Sequence, residues 1–152
     1  MNIWEKLSRD PAYCSFHDDT LEMMDITRDY IHIRVSISTY TYQLFEDDFR
    51  EFYKDPENKD LYIDIGFLNP VVLPESILPQ KMNFGDYYSI LSLEKDKTGI
   101  YSLCFERGGN DFYMLKFTFE RCVSKPLGEF ESGYYNAHPE MFNVKLDLSA
   151  FS

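Results

Sequence analysis

The stretch from Tyr30 to Ser38 constrains the fold most. Ile31, Ile33, Val35 and Ile37 alternate there with Tyr30, His32, Arg34, Ser36 and Ser38. A period of two fits a strand, with one face in a core and the other wet or half-covered. Leu21 to Thr27 reads as its partner strand, joined through the tight Arg28-Asp29 connection. Leu61 to Phe67 repeats the alternation, with Leu61, Ile63, Ile65 and Phe67 inward. Tyr87 to Glu94, Ile100 to Glu106 and Phe112 to Arg121 continue as a meander. Asp96-Lys97-Thr98-Gly99 and Arg107-Gly108-Gly109-Asn110 are its hairpin turns, with glycine where a positive φ is needed. Phe142, Val144, Leu146 and Leu148 make a final strand. The expected core is Ile31, Ile33, Val35, Ile37, Leu103, Phe105, Leu115, Phe117, Val144 and Leu146.

Three segments break this pattern. Asn2 to Arg9 forms a short helix with Ile3, Trp4 and Leu7 on one side, stopped by Pro11. In the segment near 45–54, Phe45, Phe49, Phe52 and Tyr53 fall at i, i+4, i+7 and i+8, the stripe of an amphipathic helix. Asn69 to Pro79 holds Pro70, Pro74 and Pro79, which block a helix or a central strand. Its Val71, Val72, Leu73, Ile77 and Leu78 suggest an extended segment crossing the core. Lys125 to Pro139 reads as a loop. The sum is a single β-dominated α+β domain over residues 1–152, an antiparallel meander with a short N-terminal helix and one amphipathic helix. The 13 Phe and 12 Tyr agree with that, since both favour pleated, half-buried surfaces.

Composition excludes several classes. No apolar run reaches the ~18 residues that a membrane helix needs, and the N-terminus shows no secretory signal. Cys14, Cys104 and Cys122 are odd in number and widely spaced, which points to reduced thiols in a cytoplasmic protein. A net charge of −11 repels phosphate backbones, so neither nucleic acid nor membrane is the expected partner. The charge is uneven. Asp18 to Asp60 carries twelve acids and five bases, whereas residues 61–152 carry twelve acids and eight bases. The acids concentrate in the first hairpin, the second helix and the loop behind it. Because Phe45, Phe49, Phe52 and Tyr53 commit one side of that helix to the core, Glu46, Asp47, Asp48 and Glu51 point outward. Asp55 and Glu57, around Pro56, extend the same patch. It reads either as a solubility surface or as a docking face for a basic partner.

Signatures of catalysis are sparse. Gly108-Gly109 lies between strands rather than before a helix, so it is not a phosphate loop. Nucleophile elbows and zinc-protease motifs are missing. Cys14 and His17 lie three apart, which does not make a nucleophile and base. The densest polar cluster is His17-Asp18-Asp19, with His138 far downstream. A metal-dependent hydrolase would need these side chains to converge; otherwise Asp18 or Asp19 accepts backbone N–H groups in a turn. A carbohydrate- or peptide-binding domain would instead gather Tyr40, Tyr42, Tyr134 and Tyr135 on one surface.

At Phe16-His17-Asp18 the chain resembles the bacterial immunity proteins of polymorphic toxin systems, immunity protein 50 in particular. Those sequences have a Trp near the N-terminus and a Phe-His-Asp-Ala-type motif, then two strands joined by a short turn. Trp4, Phe16-His17-Asp18 and Leu21 to Ser38 fit that order. Asp19 departs from it, since a small residue is usual there. The resemblance spans about the first 40 residues. It implies a non-enzymatic antitoxin without a cofactor or metal, which binds and blocks a cognate toxin domain. It does not assign Phe16, His17 or Asp18 to the contact, and a structural role in the first hairpin is equally open.

Overall fold

The computed structural model describes residues 1–82, 86–131, 137, 138 and 140. Helix α1 spans Ile3–Arg9, and a single 3-10 turn, Pro11–Tyr13, follows it. The strands are β1 (Thr20–Ile26), β2 (Tyr30–Ile37), β3 (Lys59–Leu68), β4 (Val71–Val72), β5 (Tyr88–Lys95), β6 (Tyr101–Arg107), β7 (Asp111–Thr118) and β8 (Arg121–Glu131). Two short helices, α2 (Thr39–Leu44) and α3 (Glu46–Phe49), separate β2 from β3. The fold is thus β-dominated α+β, built on one antiparallel eight-stranded sheet ordered β4-β7-β6-β5-β1-β2-β3-β8. No helix among the described residues is long and apolar enough to cross a membrane.

The connection from β7 to β8 sets the curvature. These strands lie near opposite ends of the sheet order, yet only Phe119 and Glu120 separate them. The three Cα–Cα steps from Thr118 to Arg121 span at most about 11 Å, so the sheet must curl until its ends meet. They do: the Phe67 and Phe117 rings are 4.8 Å apart, Phe67 and Phe119 5.1 Å, and the Glu120 N–H donates to the Leu68 carbonyl. The enclosed face holds the core. Ile31, Ile33, Val35, Ile37, Leu103, Phe105, Leu115 and Phe117 are all buried there, with Ile3 and Leu7 of α1. The expected Val144 and Leu146, and the final strand that contains them, lie outside the described residues.

Four sequence expectations need correction. The side of β2 expected to be wet or half-covered is closed over: His32, Arg34 and Ser36 are buried, as are Tyr62 and Asp64 beside them on β3. The segment after Asn69 does not cross the core. It runs along the sheet edge, where Val71 and Val72 pair with Thr118 and Phe117, and Ile77 bridges to Met114. Val71, Val72 and Ile77 stay exposed, because Pro70 and Pro74 confine the ladder to two residues at an edge. The expected loop from Lys125 is strand as far as Glu131. Pro126 and Gly128 are accommodated by a register shift opposite Tyr62 and Ile63, and Gly128 sits at φ 146°, with the Phe130 ring 3.2 Å from where a Cβ would stand.

The fourth correction concerns the amphipathic helix, which is two helices hinged at Phe45. That residue leaves the helical region at φ −125°, ψ 35°. The stripe itself holds: Phe49 and Tyr53 are buried, and Phe45 and Phe52 pack against the core. Helix α2 escaped notice because Thr39-Tyr40-Thr41-Tyr42 carries β-favouring residues. It forms because Ser38 caps it, with the Ser38 hydroxyl accepting from the Thr41 N–H at 3.3 Å.

Candidate functional site

The acidic residues divide into two groups that the sequence does not separate. Glu46, Asp47, Glu51 and Glu57 are exposed. Asp47 is 95% exposed along its side chain and meets the Arg50 guanidinium at 3.1 Å; Glu46 approaches the same group at 3.5 Å. Glu46 and Asp47 line one hollow with Leu44, itself 61% exposed, and Tyr40 lies exposed on the same helix. A cleft of about 380 Å³ opens among Tyr13, Gln43, Leu44, Phe45 and Glu46 to Asp48. A second, of about 430 Å³, lies between Thr39, Tyr42, Gln43, Pro56 and Glu57. Gln43 therefore forms a ridge between two hollows, with acids on both flanks.

Asp48 and Asp55, also expected on this face, are occupied internally. The Lys6 ammonium donates to Asp48 at 2.5 Å and the Tyr13 hydroxyl at 2.7 Å, with Lys6 also 5.3 Å from the Tyr13 ring centre. Burial opposes ionisation of Asp48, but the hydrogen bonds from Lys6 and Tyr13 outweigh it and hold its carboxyl below the usual range. Asp48 ties α1 and the 3-10 turn to α3. Asp55 accepts from the Asn58 side-chain amide at 3.0 Å, and its own N–H donates to Glu129. Asp55 closes the loop that leads into β3. A helix period tells which residues avoid the core, but not which of those reach another element.

The Phe-His-Asp motif is a turn. Phe16 and Asp18 have positive φ, 56° and 65°, so the chain reverses sharply before β1. Phe16 is buried in the core. The turn is pinned to β5, with the Asp18 N–H donating to the Ile90 carbonyl and the Ile90 N–H to the Asp19 carbonyl, both at 2.8 Å. His17 is half exposed; its Nδ1 lies 2.8 Å from the Leu91 carbonyl, and its Nε2 3.4 Å from Asp18. Asp19 turns the other way and is fully buried. Its carboxylate accepts from the Ser38 N–H at 2.7 Å and the Thr41 hydroxyl at 2.8 Å. Burial pushes the Asp19 carboxyl up to about 6, against those hydrogen bonds and helped by the neighbouring Asp18.

His17 and Asp18 thus face solvent while Asp19 faces the interior. No three His, Cys, Asp or Glu side chains among the described residues are gathered to hold a metal. The tyrosine platform does not assemble from its described members either. Tyr40 is exposed, whereas Tyr42 packs edge-on against Tyr53 at 5.1 Å; Tyr134 and Tyr135 lie outside the described residues. Cys14 and Cys122 are buried, and their surroundings push both thiols up to about 12, so neither is an available nucleophile at neutral pH.

The sequence reading missed the polar group on the buried second face of β2 and β3. Arg34 forks onto Asp64, Nε to Oδ1 at 2.7 Å and Nη2 to Oδ2 at 3.2 Å. His32 Nε2 lies 3.0 Å from the same carboxylate, and the Ser36 hydroxyl donates to Glu22 at 2.9 Å. Burial alone raises the Asp64 carboxyl, but the bonds from His32 and Arg34 overcome this and hold it low. The available signal was the pairing of two alternating strands. In antiparallel register Arg34 stands opposite Asp64, so the polar positions of both strands complement one another. A scan against protein-family models finds no match for the chain, and searches of curated proteins and of solved structures return no similar protein.

Proposed function

We propose that the chain is a non-enzymatic immunity protein, which binds a basic toxin domain through the α2–α3 elbow and blocks it. The observation that carries this reading is the exposure of Leu44 and Tyr40 on α2, with Glu46 and Asp47 lining the hollow on one side of Gln43 and Glu57 the hollow on the other. An apolar centre within a charged border is the anatomy of a protein interface. Surfaces that bind phosphate backbones are basic, and an acidic protein can occupy them. The Phe-His-Asp turn supports the elbow, because Asp19 joins that turn to the start of α2. Asp48 and Asp55 belong to the support as well.

The test is co-expression with a toxin domain encoded beside this chain. The reading predicts protection of the host cell and a stable one-to-one complex on gel filtration. Protection without a complex, or toxicity undiminished by a well-expressed and folded chain, contradicts it.

A further inference from the structure

The Phe-His-Asp turn and the outer face of α2 form one continuous surface. His17 is half exposed, and its ring meets the Tyr40 ring edge-on at 6.3 Å and 74°. Its Nδ1 lies 2.8 Å from the Leu91 carbonyl, which can only accept, so the imidazole donates there and is held by β5. Its Nε2 is the nitrogen beside Asp18, at 3.4 Å, and the Asp18 side chain is 68% exposed. Tyr40 and Leu44 are both exposed and stand four apart on α2, so they are neighbours on one face of that helix. Beyond Leu44 begins the hollow lined by Glu46 and Asp47. The surface therefore runs from Asp18 and His17 through Tyr40 and Leu44 to Glu46 and Asp47, an apolar helix face with carboxylates at each end. Phe16 and Asp19 take no part in it, because Phe16 is in the core and Asp19 is turned to Ser38 and Thr41.

We infer, on the immunity reading proposed above, that the docking face extends from the elbow onto this turn, and that the toxin domain meets it with an apolar side chain flanked on both sides by Arg or Lys. Charge complementarity selects this occupant. Glu46 and Asp47 share Arg50 at one end, whereas Asp18 at the other end has no Lys or Arg partner among the described residues. A second copy of this chain would bring the same acids to the same face and be repelled. A wholly apolar partner would strip water from the carboxylates and leave them unpaired. Cations on both sides of an apolar group satisfy both parts of the surface: Tyr40 and Leu44 are covered, and each acidic end keeps a charge partner. An Arg or Lys that passes over the Tyr40 ring gains a cation–π attraction as well. The two parts act at different moments. Exposed charges at the ends govern encounter, and the apolar centre, dried on docking, governs dissociation.

Binding kinetics with the toxin domain encoded beside this chain test the extension. Asp18 has φ 65°, a conformation that Asn also adopts, so Asp18→Asn removes the charge and keeps the turn with its N–H bond to Ile90. It should slow association about threefold at low salt and leave it unchanged at high salt. Tyr40→Ala and Leu44→Ser should each speed dissociation about tenfold or more, with little change in association. Tyr40 and Leu44 stand largely in water, so the denaturation midpoints should stay close to the wild-type value, which separates a contact from a support. Reversal of Glu46, Asp47 and Glu51 to Lys, measured in parallel, reports on the elbow itself. If the wild type forms no complex, the immunity reading and the extension fall together. If the triple reversal slows association while Asp18→Asn associates at the wild-type rate at low salt, the elbow stands and the extension onto the turn is overturned. Wild-type dissociation rates for both Tyr40→Ala and Leu44→Ser overturn the apolar centre.

Discussion

The β2–β3 pair and the α2–α3 elbow are both rich in charged side chains, and they use them in opposite ways. In the strand pair, Asp64 is enclosed and met by Arg34 and His32. In the elbow, Glu46 and Asp47 stand in water with Arg50 beside them. The first arrangement fixes the structure, because a buried charge without its partner is costly. The second contributes little to folding, since exposed ion pairs are worth ~0–1 kcal/mol. What the acids of the elbow do contribute is a field, which under the proposed function acts on a basic partner. Asp19 and Asp48 lie between these cases: both turn inward, Asp19 holding the elbow to the turn before β1 and Asp48 holding it to α1 and the 3-10 turn.

Breaking the buried pair gives the largest effect. Arg34→Ala should destabilise the chain by ~3–5 kcal/mol, read as a fall in the denaturation midpoint, because it strands Asp64 in the interior. A loss below about 1 kcal/mol would mean that water reaches this face. Phe117→Ala should cost a similar ~3–5 kcal/mol, since Phe117 joins the two ends of the curled sheet through Phe67. A variant as stable as the wild type would contradict that closure.

Asp19 comes next. Asp19→Ala strands the Ser38 N–H and the Thr41 hydroxyl, at a cost of ~1–3 kcal/mol. Its raised carboxyl also gives a pH signature of definite sign. Between about 4 and 6 the folded chain binds the Asp19 proton that the unfolded chain has released, so stability falls as pH rises through that window. Asp64 has the opposite sign: held low, it adds stability above its unfolded value that is lost in stronger acid. Denaturant titrations of the wild type and Asp19→Asn from about pH 2 to pH 7 separate the two. The decline towards pH 6 should vanish in the variant while the acid loss persists. A decline that survives in Asp19→Asn would assign it to another group.

These contrasts also show what a sequence can and cannot disclose. Alternation located most of the strands and the inward face of each, because burial of one face is a local pattern. It could not show that β2 and β3 are covered on both faces, since that depends on what lies across the sheet. Lys125 to Glu131 looked like a loop because Pro126 and Gly128 are turn residues, yet a register shift places both in a strand. In the candidate site, the helix period correctly turned Glu46, Asp47 and Glu51 outward. It could not foresee that Lys6 and Tyr13, distant in sequence, would claim Asp48. Asp19 stands next to Phe16-His17-Asp18 in the sequence, but its role depends on Ser38 and Thr41, which the chain reaches only after a complete hairpin.

The smallest expected effect on folding is also the one that bears most on function. Reversal of Glu46, Asp47 and Glu51 to Lys should change stability by less than about 1 kcal/mol, because all three are exposed. The measurement that tests the central claim is the association rate of this triple variant with a basic toxin domain that the wild type binds, taken at several salt concentrations. The account predicts association slowed by about tenfold or more at low salt, with the salt dependence flattened. An unchanged rate and an unchanged salt dependence, in a variant shown to be folded, would contradict it.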